Sequence, residues 1–176
     1  SLEESYTAYL GYSNGDLQAY LGLGGKSSGR CLLYTRGRFI QSQLDALPSF
    51  CDLHLNCDEY EVSASLTEVL NRELAEPIIQ EWPRRLHQLV KSNTSKLSNE
   101  LLLRILLGQG VLEETCFVLK SQPVWPSMHG MLSLDQIAER LKPEDVAVSY
   151  CKVEDLADLP GVFEPDLFRG NPELLR

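Results

Sequence analysis

Cys51-Asp52-Leu53-His54-Leu55-Asn56-Cys57-Asp58 decides the fold. Strict alternation puts Cys51, Leu53, Leu55 and Cys57 on one face of a strand and Asp52, His54, Asn56 and Asp58 on the other. A strand of this kind needs neighbours, and the residues before it supply them. Ser5–Gly11 alternates and is rich in Tyr. Leu17–Leu23 returns after Asn14-Gly15, a pair that fits a type I′ hairpin turn. Residues 24–29 read as a flexible loop. Cys31–Thr35 and Arg38–Gln41 then flank Arg36-Gly37 as a second hairpin. Residues 1–62 thus form a β-rich part, built as an antiparallel sheet.

From Ser63 the period changes to helical. Leu66, Val69, Leu70 and Leu74 recur at i, i+3, i+4 and i+8, with Ser63 or Ser65 as the N-cap. Pro77 interrupts this helix, and Pro83 opens a new one at its first turn. Residues 92–95 read as a linker. Ser98 caps a helix with the apolar body Leu101–Leu107, which Gly108 and Gly110 end. Residues 111–120 suit either a helix or a buried strand. Residues 63–126 are the helical part. Residues 122–130 form a loop that contains Trp125 and marks the best internal boundary.

Residues 127–176 form a third part. Ser133 caps a helix over Leu134–Leu141. The pattern Met131–Leu141, a turn at Lys142-Pro143 and a further segment from Glu144 has the outline of a helix-turn-helix. The fold class is therefore α+β: N-terminal antiparallel β hairpins, then a helical part with a winged-helix-like end. The segment in the recognition-helix place carries four acids and one Lys, which suits protein better than DNA.

Composition narrows the function. The chain has 176 residues, 43% hydrophobic and 23% charged, with a formal net charge of −9. That is enough for one compact unit or two small domains. No window is long and apolar enough to span a membrane. The first residues, Ser1-Leu2-Glu3-Glu4-Ser5, lack Met and a leader, as expected of an excised piece. An odd number of scattered cysteines, Cys31, Cys51, Cys57, Cys116 and Cys151, argues for reduced, mostly buried thiols in the cytoplasm or nucleus.

No motif points to catalysis, a metal or a cofactor, and none is expected. Gly24-Gly25-Lys26-Ser27 has the end of a phosphate loop. However, Tyr20 stands where its first Gly belongs, and a strand follows where a helix is required. Cys51, His54 and Cys57 have the atoms for zinc. On a strand, however, the imidazole points away from both thiols and toward solvent. Cysteines in apolar runs favour inert thiols over nucleophiles.

Two features favour partners. The acidic, apolar segment from Lys152 to Phe168 repels phosphate and offers Leu156, Leu159, Phe163, Leu167 and Phe168 to a protein groove, with Trp125 as a further contact. The nearly all-apolar helix Leu101–Leu107 is central core, or core on one face and interface on the other. The expected function is a non-enzymatic protein-interaction domain, a subunit or scaffold piece of an intracellular multiprotein assembly. The alternative is nucleic-acid binding through the basic face 82–104, which includes Arg84 and Arg85. A second alternative is an enzyme whose site the sequence does not reveal.

Overall fold

The computed structural model describes residues 5–24, 27–43, 47–127 and 130–140. Their fold is α+β, with the sheet at the N-terminal end. Its strands are β1 (Ala8–Asn14), β2 (Leu17–Leu23), β3 (Cys31–Thr35), β4 (Arg38–Gln43) and β5 (Cys51–Cys57). They form one sheet in the order β1-β2-β5-β3-β4. The two expected hairpins are present, and β5 lies between them, antiparallel to β2 and parallel to β3. The sheet is therefore mixed rather than purely antiparallel. β2 and β3 run in opposite directions, so a strand placed between them must be parallel to one.

Both hairpin turns contain two residues. Asn14 pairs with Leu17, so the first turn is Gly15-Asp16, not Asn14-Gly15. Only Gly15 has positive φ, the pattern of a type II′ turn with Gly at its first central position. In the second turn Arg36 (φ 49°) and Gly37 (φ 74°) are both left-handed, as type I′ requires. Side chains at the end of β5 hold it: Asp58 Oδ1 accepts from the Arg36 amide at 3.1 Å, and Asn56 Oδ1 from the Gly37 amide at 2.8 Å.

The helix expected over Leu66–Leu74 does not form. Val62 bridges to Val69 in an antiparallel turn of chain, and Leu66 takes a positive φ of 57°. Ser63 Oγ accepts from the amides of Thr67 and Glu68, and Asn71 bonds the backbone of Glu59 and Glu61. Short polar side chains thus offer the backbone partners that compete with a helix. Only Val69 of the apolar stripe is buried.

The helices that follow are α1 (Glu76–Ile79), α2 (Trp82–Asn93), α3 (Asn99–Leu106) and α4 (Glu113–Leu119). Pro83 lies in the first turn of α2, as expected. That helix runs to Asn93 and continues as a 3-10 turn, Thr94–Lys96, through the expected linker. Ser98 caps α3, its side chain accepting from the Leu101 amide at 3.2 Å. Leu86, Leu89 and Val90 of α2, with Leu101, Leu102, Ile105 and Leu106 of α3, are buried against Leu21, Leu23, Leu33, Leu53 and Leu55 of the sheet. Within the helical layer His87 bonds Thr115 of α4 at 3.1 Å.

A short pair, β6 (Trp125–Ser127) and β7 (Gly130–Leu132), leads into α5 (Leu134–Arg140). Ser133 caps α5 reciprocally: its Oγ accepts from the Gln136 amide at 3.2 Å, and Gln136 Oε1 accepts from the Ser133 amide at 2.9 Å. The proposed recognition segment from Glu144 lies outside the described residues. No helix among the described residues is long and apolar enough to cross a membrane.

Candidate functional site

Helices α1 to α4 bury their apolar side chains against one face of the sheet. The opposite face carries the residues that alternate out of phase with the core: Tyr9 of β1, Gln18 and Tyr20 of β2, Asp52, His54 and Asn56 of β5, Tyr34 of β3 and Phe39 of β4. Tyr6 joins them from the segment before β1.

His54 lies at the centre of this face and is only 8% exposed. This corrects the expectation of a solvent-facing imidazole. The ring does point away from the core thiols, but tyrosines cover it. Tyr6 and Tyr20 meet it edge-on, with centroids at 5.7 and 6.4 Å, and Tyr34 stacks at 5.7 Å. Tyr6 Oη lies 2.6 Å from Nε2, and Tyr34 Oη lies 3.0 Å from Nδ1. Tyr6 Oη is also 3.3 Å from Asp52 Oδ2. One proton arrangement satisfies every atom: Tyr34 donates to Nδ1, Nε2–H donates to Tyr6, and Tyr6 donates to Asp52.

Asp52 is 1% exposed and anchors the chain of bonds. Its Oδ1 accepts from the amides of Ser28 and Arg30 at 3.0 and 2.9 Å. Its Oδ2 faces Arg30 Nη2 at 3.4 Å. Together with the Tyr6 hydroxyl, these donors satisfy both oxygens of the buried carboxylate. Burial lowers the His54 pKa below its usual value, Asp52 opposes the shift and Arg30 adds to it. The imidazole is therefore neutral, as the bond chain requires. Burial raises the Tyr6 hydroxyl strongly, with Asp52 adding to the rise, and burial also raises Tyr34.

Glycines make room for the rings. A methyl group at Gly22 would run into the ring of Tyr6. Gly22 also pairs across the strands with Tyr9, and Gly11 pairs with Tyr20. Tyr9 stacks on Tyr20 at 5.1 Å and 15°. Phe39 meets Tyr34 edge-on at 5.5 Å. Tyr9 and Phe39 remain 42% and 49% exposed. Between Tyr20 and Tyr34 lies a trough of about 640 Å³, with His54, Asn56 and Gln18 in its lining. From Ser5 to Gly24 the only charged residue is Asp16. Such a Tyr, Ser, Asn and Gly surface presents rigid amphipathic rings at low entropy cost, with small polar groups between them.

A second cavity of about 610 Å³ lies between Phe50, Trp82, Arg104 and residues 107–110. Arg104 is held there by Ser49, Nη2 donating to the carbonyl at 3.0 Å and to Oγ at 3.2 Å. Gly108 and Gly110 sit against the rings of Phe50 and Trp82.

The residues singled out from sequence are not gathered into one site. Arg84 is exposed on α2. Arg85 binds Glu81 at 2.7 Å and lies over the Tyr12 ring at 4.6 Å. Trp125 is only 4% exposed and packs with Leu132 and Ile137. Its Nε1 has no hydrogen-bond partner among the described residues. Leu103 of α3 touches both this cluster and the main core. Leu156, Leu159, Phe163, Leu167 and Phe168 lie outside the described residues. Cys31, Cys51 and Cys57 are buried thiols on the helix side, and burial pushes Cys31 and Cys51 up to about 12. The sequence reading did not gather the tyrosine face, although part of its signal is present: Tyr9 and Tyr20 fall out of phase with the leucines of their strands.

No protein-family model matches this chain, and no curated protein matches it significantly.

Proposed function

We propose that the protein is a non-enzymatic interaction domain, a piece of a larger protein assembly, and that it meets a partner protein through the tyrosine face. The observation that carries this reading is the pair Tyr9 and Phe39, exposed on a sheet face that no described helix covers. Exposed aromatic rings over a fixed hydrogen-bonded floor are the kind of surface that anchors protein interfaces.

Two features favour binding over catalysis. Both nitrogens of His54 are engaged by tyrosine hydroxyls, so neither offers a lone pair to a substrate. Burial also moves Tyr6 and the thiols Cys31 and Cys51 away from their reactive, deprotonated forms. The basic group on 82–104 gives nucleic acid little support, because Arg85 is committed to Glu81 and Arg104 to Ser49.

Site-specific photocrosslinking in cells tests the proposal. A benzophenone amino acid at Tyr9 or Phe39 is expected to capture one and the same partner protein, and the same probe at Gln88 on α2 is not. Adducts from Gln88 alone, or the same smear of adducts from all three positions, would overturn the reading.

A further inference from the structure

The two edges of the sheet differ in how they are protected. The β4 edge is guarded. Ile40 of β4 itself bulges opposite the step between Leu33 and Tyr34, Arg36 stands in the turn before the strand and Arg38 at its first position, and its Gln41 side chain is occupied by the Val69 amide at 2.9 Å. These are common devices against edge pairing. β1 has none of them. It is seven residues long, Ala8–Asn14, with no charge, no proline and no register shift.

The turn fixes which backbone groups face outward. A two-residue turn makes Asn14 and Leu17 a hydrogen-bonded pair, and bonding alternates from there. Tyr12, Leu10 and Ala8 therefore bond to β2, while the N–H and C=O groups of Tyr9, Gly11 and Ser13 point off the sheet. No described residue pairs with them.

We infer that this edge pairs with the β1 edge of a second copy of the chain, antiparallel and centred on Gly11. The register follows from the strand itself. Gly11 faces Gly11 at the two-fold axis, Tyr9 faces Ser13, and Leu10 faces Tyr12. Each outward N–H of Tyr9, Gly11 and Ser13 then meets an outward C=O of the other strand, so none is left over. The pairing is isologous, as in most homodimers. It places no like charges opposite each other, because β1 has none. On the helix side Tyr12 is already held, its hydroxyl on the Ile78 carbonyl at 3.4 Å and its ring under Arg85. The approach is therefore lateral, strand to strand. This inference concerns the edge backbone and stands apart from the proposal for the tyrosine face.

Gly11 supplies the test. A Cβ there meets only Tyr20 Cδ2, at 3.9 Å, so a longer side chain fits the monomer. Gly11→Lys puts two lysines opposite each other at the axis, and Gly11→Glu puts two glutamates there. Sedimentation of the full chain is expected to show a concentration-dependent dimer for the wild type, weakened roughly fivefold or more in either variant. An equimolar mixture of the two variants is expected to restore it as a mixed dimer. Each chain carries −9, so added salt is expected to tighten the wild-type dimer. Melting temperatures of the variants report on folding separately. A wild type that stays monomeric would overturn the inference. So would a lysine variant that dimerises as tightly as wild type, or a mixture with no gain.

Discussion

The hydroxyl of Tyr6 lies 2.6 Å from Nε2 of His54 and joins the imidazole to Asp52. That contact makes His54 part of the framework rather than a free surface group. It also makes the fold sensitive to acid.

His54 has a folded pKa below its ordinary value of 6.5, chiefly because it is buried. Below that ordinary value the unfolded chain takes up a proton that the folded chain refuses, so the unfolded state gains. Stability is therefore full above about pH 6.5 and falls as the pH drops toward the folded pKa. One proton limits the slope to about 1.4 kcal/mol per pH unit. Urea unfolding at pH 7.5 and 5.5 measures it. His54→Gln is expected to be less stable at pH 7.5 and to lose this part of the acid sensitivity. An unchanged slope in the variant would assign the effect to other groups.

Tyr6 and Gly22 form a second dependent pair. The ring occupies the space that a Cβ at Gly22 would take. Gly22→Ala is expected to cost about 1–3 kcal/mol, the range for overpacking a filled site. In a Tyr6→Ala background the same change is expected to cost much less, because the obstacle is gone. A double-mutant cycle by urea unfolding gives the coupling directly. Equal costs in both backgrounds would mean that the ring does not rest on Gly22.

On the helix side, α3 lies inside the core, with Leu102 and Ile105 fully buried. Leu102→Ala and Ile105→Ala are each expected to lose about 2–5 kcal/mol of stability. Thermal melting checks this, and a loss below about 0.5 kcal/mol for either would move that residue to an interface.

The strands, Pro83 at the start of α2 and the caps at Ser98 and Ser133 were legible because each rests on local physics. Alternation, ring-fixed φ and a side-chain oxygen at the right spacing act within a few residues. The position of β5 was not legible, because no local signal says which strands it separates. The tyrosine face was half legible. Alternation placed His54 opposite the thiols. What covers the ring depends on Tyr6, Tyr20 and Tyr34, which reach it through pairings distant in sequence. The buried Trp125 shows the converse: a loop-like sequence with prolines still packs its large ring on Leu132 and Ile137.

Residues 63–74 show where periodicity misled, and a single substitution tests the reason. Leu66 has a left-handed φ of 57° and is 44% exposed. A branched side chain is strained in that conformation, whereas glycine adopts it freely. Little apolar burial is lost on removing an exposed side chain. Leu66→Gly is therefore expected to stabilise the fold by roughly 0.5–1 kcal/mol, after allowing for the greater freedom of glycine in the unfolded chain. Had Leu66 headed a helix through Leu74, the same change would cost about 1 kcal/mol. The sign decides between the two conformations, and urea unfolding of Leu66→Gly beside wild type reads it. A loss of stability near 1 kcal/mol would favour the helix; a gain supports the serine-pinned turn around Val62 and Val69.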